Sequence, residues 1–149
     1  MVNLVVPKPV KTTSVSVFIE KYYDLCEAKK DLNKMIENDP EHALPALKNY
    51  QNEIKTIKNA LYGIWPTILE TARNSSPYYE YSKETREQAY KEFKGKQIEI
   101  KVDSAGAMTP HITISVPGSN YYIGISWGEG GRNLTDGKKG VGVEFARIK

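Results

Sequence analysis

Cysteine, histidine and long apolar runs are the scarce features of this 149-residue sequence. The one cysteine, Cys26, has no partner for an internal disulfide, and one thiol with two histidines gives no ligand spacing for zinc. The longest apolar run is far shorter than the roughly 20 residues that a membrane-spanning helix needs. The first residues also lack a basic stretch followed by an apolar core, so no signal peptide is expected. The sequence therefore predicts a cytoplasmic protein with no metal, no cofactor and no membrane association.

The composition is that of an ordinary globular chain, with 40% hydrophobic and 26% charged residues. The length predicts one domain over residues 1–149, in which 1–13 are an extended or flexible arm, 14–94 are helical and 96–149 form a sheet. Charge is unevenly placed: basic and acidic residues balance up to position 93, whereas residues 94–149 hold 8 basic and 5 acidic residues, the whole net charge of +3. This excess permits RNA or another polyanion as a partner without requiring one.

Apolar residues three and four positions apart predict two long helices. One begins near Ser14 or Ser16 and ends at about Asn38, and the other runs from about Pro45 to Tyr62. A turn signal, Asp39-Pro40, separates them, so the two helices are expected to pair as an antiparallel hairpin. The hairpin seam also offers a surface for a homodimer. The second helix has Gly63 as its predicted left-handed cap residue. The first helix has one predicted buried stripe, made of Val15, Phe18, Ile19, Tyr22, Leu25, Cys26, Leu32 and Ile36.

Two shorter helices are predicted over residues 65–73 and 83–94, the second with Ser82 as its N-terminal cap and Gly95 at its end. After Gly95 the apolar period changes from 3.6 to 2, which predicts four strands around residues 98–102, 112–116, 121–127 and 141–146. Short turns join the first three strands, so neighbours are expected to pair antiparallel. The predicted fold is α+β: a helical hairpin and two short helices, then a four-stranded antiparallel meander.

Alternation places a second set of residues on the opposite, polar face of the predicted sheet. His111, Glu144 and Lys101 are the candidates for metal-free ribonuclease chemistry, in which a base, an acid and a cation act on a phosphodiester. Arg132 and Arg147 are the further candidate cations. An antiparallel sheet commonly has one solvated polar face, which is the structural alternative for the same residues. The residues predicted on this polar face are Glu99, Lys101, His111, Thr113, Ser115, Tyr122, Ser126 and Glu144.

The order of helices followed by a four-stranded antiparallel sheet resembles the architecture of barnase-like and RelE-like bacterial ribonuclease toxins. The resemblance is one of topology and includes no sequence motif. It implies a ribonuclease activity without assigning any residue to it.

Two loops carry the candidate partner-binding residues. Tyr78, Tyr79 and Tyr81 form a local concentration of aromatics, which are common at the centres of protein interfaces. Arg132, Lys138 and Lys139 lie in a glycine-rich loop suited to an anion or to a partner surface. With no catalytic signature, the sequence favours an interaction protein that blocks or sequesters a macromolecule, most readily a protein, as inhibitors, immunity proteins and phage counter-defence proteins do. The alternative is the metal-independent ribonuclease.

Overall fold

The computed structural model describes residues 14–75, 83–103, 110–128, 134 and 140–148. The predicted α+β class is confirmed, because four helices precede a four-stranded antiparallel sheet. The chain divides into two compact units, one of residues 1–65 with 104–110 and one of residues 66–103 with 111–149. The single domain over residues 1–149 stays a prediction, and the predicted arm lies outside the described residues.

The first unit contains the predicted helical hairpin. Helix α1 (Val15–Asn38) and helix α2 (Leu44–Gly63) pack against each other and are joined by a 3₁₀ turn at Pro40–His42. Ser14 caps α1, since its hydroxyl oxygen accepts a hydrogen bond from the Val17 N–H at 3.3 Å. Proline in the first turn of α2 has no N–H to leave unsatisfied there.

Complete burial of large side chains holds the first unit together. Phe18 and Tyr22 meet edge to face, with ring centroids 5.8 Å apart and ring planes at 78°. Leu25 from α1 and Ile57 and Leu61 from α2 are fully buried as well. Each such side chain contributes roughly 1.5–3 kcal/mol through the hydrophobic effect. The seam of the hairpin is therefore its main source of stability.

Three features of the hairpin differ from the sequence-based expectation. Ile36, predicted to be buried, is 54% exposed, because it lies in the last turn of α1 where the seam ends at the hairpin turn. Lys29 is buried instead, with its Nζ 5.6 Å from the centre of the Tyr50 ring on α2. Gly63 was predicted to follow α2 but is its last residue. The cap is Ile64, whose N–H reaches the α2 carbonyls at a negative φ of −118°, so no left-handed residue is needed.

The second unit contains helix α3 (Trp65–Asn74), helix α4 (Lys83–Phe93) and the sheet. The predicted glycine closes α4, since Gly95 has a φ of +74°, and Gly118 has a φ of +87° in the turn after the second strand. Ser82, the predicted cap of α4, lies outside the described residues. The strands pair antiparallel in chain order, as predicted for a meander: β1 (Glu99–Asp103), β2 (His111–Ser115), β3 (Tyr121–Gly128) and β4 (Gly140–Arg147).

The apolar face of the sheet forms the core of the second unit. Alternate residues of the strands are buried, and α4 packs on this face through Phe93, whose ring lies 5.4 Å from that of Phe145. Because opposed residues of neighbouring strands point to the same face, this burial fixes the register of the whole sheet. The residues of this face that are at most 1% exposed are Ile112, Ile114, Ile123, Ile125, Val141 and Val143.

The buried hydroxyl of Tyr22 generates the first testable prediction. It donates a hydrogen bond of 2.9 Å to the carbonyl of Pro110, within the first unit, and burial raises its pKa well above the ordinary range so that it stays a donor. Tyr22→Phe leaves that carbonyl without its donor and is expected to lower the free energy of unfolding by about 1–3 kcal/mol. Urea denaturation measures the change. The matched control is Tyr62→Phe at a half-buried position of α2, which is expected to change stability by less than about 0.5 kcal/mol. Equal effects of the two substitutions would contradict the assigned role.

Candidate functional site

The polar side of the sheet carries three of the candidate ribonuclease residues, Lys101, His111 and Glu144. We call this surface the polar sheet face. Its side chains alternate with the buried ones, and the register arranges them in rows that cross all four strands. One row is Lys101, Thr113, Gly124 and Glu144, and the next is Glu99, Ser115, Tyr122 and Ala146. His111, Ser126 and Gly142 lie on the same face beyond the first row.

The middle of the polar sheet face is flat and open. A Cβ atom built on Gly124 would meet only the edge of the Tyr122 ring, at 3.8 Å. Most other central positions carry hydroxyl or methyl side chains, and Tyr122 is the one aromatic among them. The long charged side chains therefore lie around a shallow centre, with Lys101 on β1 and Glu144 on β4.

The proposed ribonuclease residues share this face, yet the register separates them. His111 and Glu144 are two strands apart, about 10 Å, and about two residues apart along the strands, so their backbones are roughly 12 Å apart. Lys101 and Glu144 are three strands apart, about 14 Å. An acid and a base must each approach the reacting oxygens to hydrogen-bond distance, about 2.6–3.2 Å. The three residues thus share one surface, but the strand register does not bring them together at one phosphodiester. Arg132, the fourth proposed residue, lies outside the described residues.

The charge on the polar sheet face offers little to a polyanion. Its described charged side chains are the carboxylates of Glu99 and Glu144 and the ammonium of Lys101. Recognition of RNA depends on cations that replace counterions along the phosphates. Two carboxylates beside one ammonium favour a neutral or mixed-charge partner on this part of the surface.

The proposed partner-binding residues all lie outside the described residues: Tyr78, Tyr79, Tyr81, Arg132, Lys138 and Lys139. The helices on either side of the tyrosine segment are described, since α3 ends at Asn74 and α4 begins at Lys83. A set of contacts ties these two helix ends together.

Arg73 is the centre of that set, which we call the Arg73 clamp. Its Nε donates to Glu87 Oε2 at 2.7 Å and its Nη2 donates to Oε1 of the same carboxylate at 2.9 Å. The guanidinium also lies 4.3 Å from the centre of the Tyr90 ring. In return, Arg86 Nε donates to the carbonyl of Arg73 at 3.1 Å. The last turn of α3 is therefore fixed to the middle of α4 by a two-pronged ion pair, a cation–π contact and a backbone hydrogen bond.

The ion pair shifts the proton affinity of both groups. Hydrogen bonding from Arg73 lowers the pKa of Glu87, and the same bond raises that of the guanidinium. Each side chain is about one third exposed, so solvent screens the attraction. Sequence analysis did not predict this contact, because the two residues are on different helices and 14 positions apart.

A second carboxylate joins α4 to the sheet. Glu92 accepts hydrogen bonds from the Ser119 hydroxyl at 2.7 Å and from the Asn120 N–H at 3.2 Å, both in the β2–β3 turn. Gln88 on the preceding turn of α4 donates to it at 3.2 Å. The hydrogen bonds from Ser119 and Gln88 hold the pKa of Glu92 below its usual value. This contact was also missed, since only the folded turn brings Ser119 to the helix.

Cys26 lies where the sequence predicted it, buried on the apolar side of α1. Burial raises the pKa of its thiol to about 11, so the thiol is protonated at neutral pH. A nucleophilic or metal-binding cysteine needs the thiolate. The geometry thus assigns Cys26 to the core.

In the part of the chain that the structure describes, no cluster of three or more histidine, cysteine, aspartate or glutamate side chains is placed to hold a metal ion. None of the described helices combines the length and the apolar character needed to cross a membrane. Neither a protein-family model nor a curated protein nor a solved structure matches this chain.

The lowered pKa of Glu92 predicts a dependence of stability on pH. A carboxylate whose pKa is lower in the folded state than its ordinary 4.5 adds stability that is present above about pH 4.5 and lost as the pH falls through the folded value. The difference in urea midpoint between wild type and Glu92→Gln is therefore expected to be largest near neutral pH and to shrink below about pH 4.5. Glu20→Gln, at an exposed position of α1, is the control and is expected to stay close to wild type. A difference that stays constant or grows on acidification would contradict the role assigned to Glu92.

Proposed function

We propose that the protein is a small interaction protein that binds and blocks or sequesters a protein partner, in the manner of inhibitors, immunity proteins and phage counter-defence proteins. The proposed contact surface is the tyrosine segment Tyr78–Tyr81, with the basic residues of the glycine-rich loop as a second contact. The proposed setting is the cytoplasm. The observation that carries the proposal is the Arg73 clamp, which fixes the described helices on both sides of that segment.

The clamp supports binding because it fixes the two helices that flank the segment along the chain. A binding loop joined to two independently moving helices loses conformational freedom when it docks, and that loss opposes association. Here 7 residues, 76–82, separate the two helices along the chain, and the helices are held together by Arg73 and Arg86. Function is commonly carried by loops on such fixed supports. Tyrosine suits the role, because it supplies a large contact area with few rotatable bonds.

The ribonuclease is the second candidate, since His111, Lys101 and Glu144 do share the polar sheet face. The wide separation of the three residues and the two carboxylates on that face rank it below the interaction protein. Its activity would require a substrate large enough to reach across several strands of the sheet at once.

Substituting the tyrosine segment tests the binding proposal. The combined variant Tyr78→Ser, Tyr79→Ser, Tyr81→Ser is expected to lose the partner that the wild-type chain captures from an extract of its source cells, with an affinity at least about thirtyfold weaker. Tyr23→Ser, which removes an exposed tyrosine from α1, is the matched control and is expected to retain the partner. Arg73→Ala keeps the tyrosines but releases the clamp, and a loss of roughly three- to tenfold is expected. Undiminished binding by the triple variant would overturn the assignment of this surface.

RNA cleavage in the presence of EDTA tests the second candidate. The wild-type chain is expected to leave bulk RNA intact, as are His111→Ala and Glu144→Ala. Cleavage by the wild type that either substitution reduces by about a hundredfold or more would place an acid or a base on the sheet and favour the ribonuclease instead.

A further inference from the structure

The polar sheet face is complementary to a copy of itself. Its central row begins with the cation of Lys101 on β1 and ends with the carboxylate of Glu144 on β4. Between them lie a branched side chain, Thr113, and a position without a side chain, Gly124. The two halves of the row, which meet halfway between β2 and β3, are therefore complementary. The cation at one end matches the carboxylate at the other, and the side chain of Thr113 matches the position without a side chain at Gly124.

A two-fold axis parallel to the strands, placed at that midpoint and in the plane between two facing sheets, exploits this pattern. Rotation about it exchanges the two ends of each row. Lys101 of one copy then faces Glu144 of the second copy, and the reverse contact forms at the other end. Thr113 faces the open space over Gly124 of the second copy, where an added Cβ atom has no neighbour except the Tyr122 ring edge at 3.8 Å.

The same two-fold axis also gives complementary contacts in the next row, which is Glu99, Ser115, Tyr122 and Ala146. Tyr122 of one copy faces Ser115 of the second, so the largest side chain of the central strands meets a small one. Glu99 faces Ala146, so the exchange brings no second carboxylate against it. Facing sheets with strands aligned within about 30° are a common packing mode, and a contact that pairs a surface with itself is the rule for two-fold dimers.

From this match we infer that the polar sheet face is a self-association surface whose occupant is a second copy of this chain. The two symmetric contacts between Lys101 and Glu144 set the orientation. Glu144 also interacts within its own chain, and its two oxygens have capacity for both partners. The inference does not rest on the tyrosine segment and would stand if that segment bound nothing.

The size of the face sets the expected strength of the dimer. The part of the sheet in which all four strands pair is about five residues long and spans about 19 Å by 17 Å, or roughly 320 Å² in plan. A standard stable interface buries about 800 Å² on each partner. The dimer is therefore expected to be weak, with a dissociation constant on the order of tens to hundreds of micromolar, so that its population depends on concentration.

Sedimentation velocity of the full chain from about 5 to 500 µM tests the inference, since this range covers the dissociation constants expected of so small an interface. The wild type is expected to shift from monomer to dimer across the range. Lys101→Glu alone or Glu144→Lys alone places like charges opposite each other at both ends of the interface, and each is expected to weaken the dimer at least about tenfold. The double variant restores both contacts with reversed sign and is expected to return to within about threefold of the wild type. Lys96→Glu, the same charge change at an exposed position outside the face, is the control.

A steric variant gives an independent measurement. Gly124→Arg is compatible with the fold, since its Cβ would make only an ordinary contact, yet its side chain fills the centre of the face and is expected to abolish the dimer. Circular dichroism confirms that each variant remains folded. A wild type that stays monomeric at the highest concentration would overturn the inference. So would a dimer that survives Gly124→Arg, and if such a dimer were lost with Leu44→Glu at the exposed tip of the hairpin, the interface would lie on the hairpin instead.

Discussion

The alternation of apolar and polar side chains along four paired strands is the constraint on which the polar sheet face depends. In each strand every second residue is committed to the apolar core, and the cross-strand register then decides which polar residues share a row. A slip of one residue in β3 would move Ile123 and Ile125 to the solvent and Gly124 to the core. The burial of these isoleucines therefore fixes the positions of Lys101 and Glu144, although neither charged residue takes part in that core.

Carboxylates and an arginine add polar contacts to the apolar packing of α4 on the sheet. The planar guanidinium of Arg73 donates two hydrogen bonds to Glu87 while its face lies on the Tyr90 ring. The ammonium of a lysine could not make both kinds of contact at once. Glu92 fixes the C-terminal end of α4 to the sheet. It accepts hydrogen bonds from a hydroxyl and a backbone N–H of the β2–β3 turn. These contacts are partly exposed, so their role is to fix geometry more than to add stability.

Local patterns were sufficient to predict the elements, and long-range contacts explain what was missed. Ser14, Asp39-Pro40 and Gly95 marked helix boundaries correctly, because capping and turn chemistry depends on neighbouring residues. The exposure of Ile36 and the burial of Lys29 were not predictable in this way, since both depend on where the second helix lies along the first. The Arg73 clamp depends on two helices meeting across the tyrosine segment, which no spacing along the chain encodes. For the candidate sites, the shared face of His111, Lys101 and Glu144 followed from period two, whereas their separation required the strand order.

Catalysis and self-association make opposite demands on the same pair of residues. A ribonuclease site needs Lys101 and Glu144 to act on one phosphodiester, so the two side chains must converge. A two-fold interface needs them at opposite ends of a row, each facing the other residue in the second copy. The strand order places them at opposite edges of the sheet, about 14 Å apart, with a flat centre of small side chains between them. Because small central residues permit close approach of another surface and provide no walls for a substrate cleft, the geometry of this face favours association over catalysis.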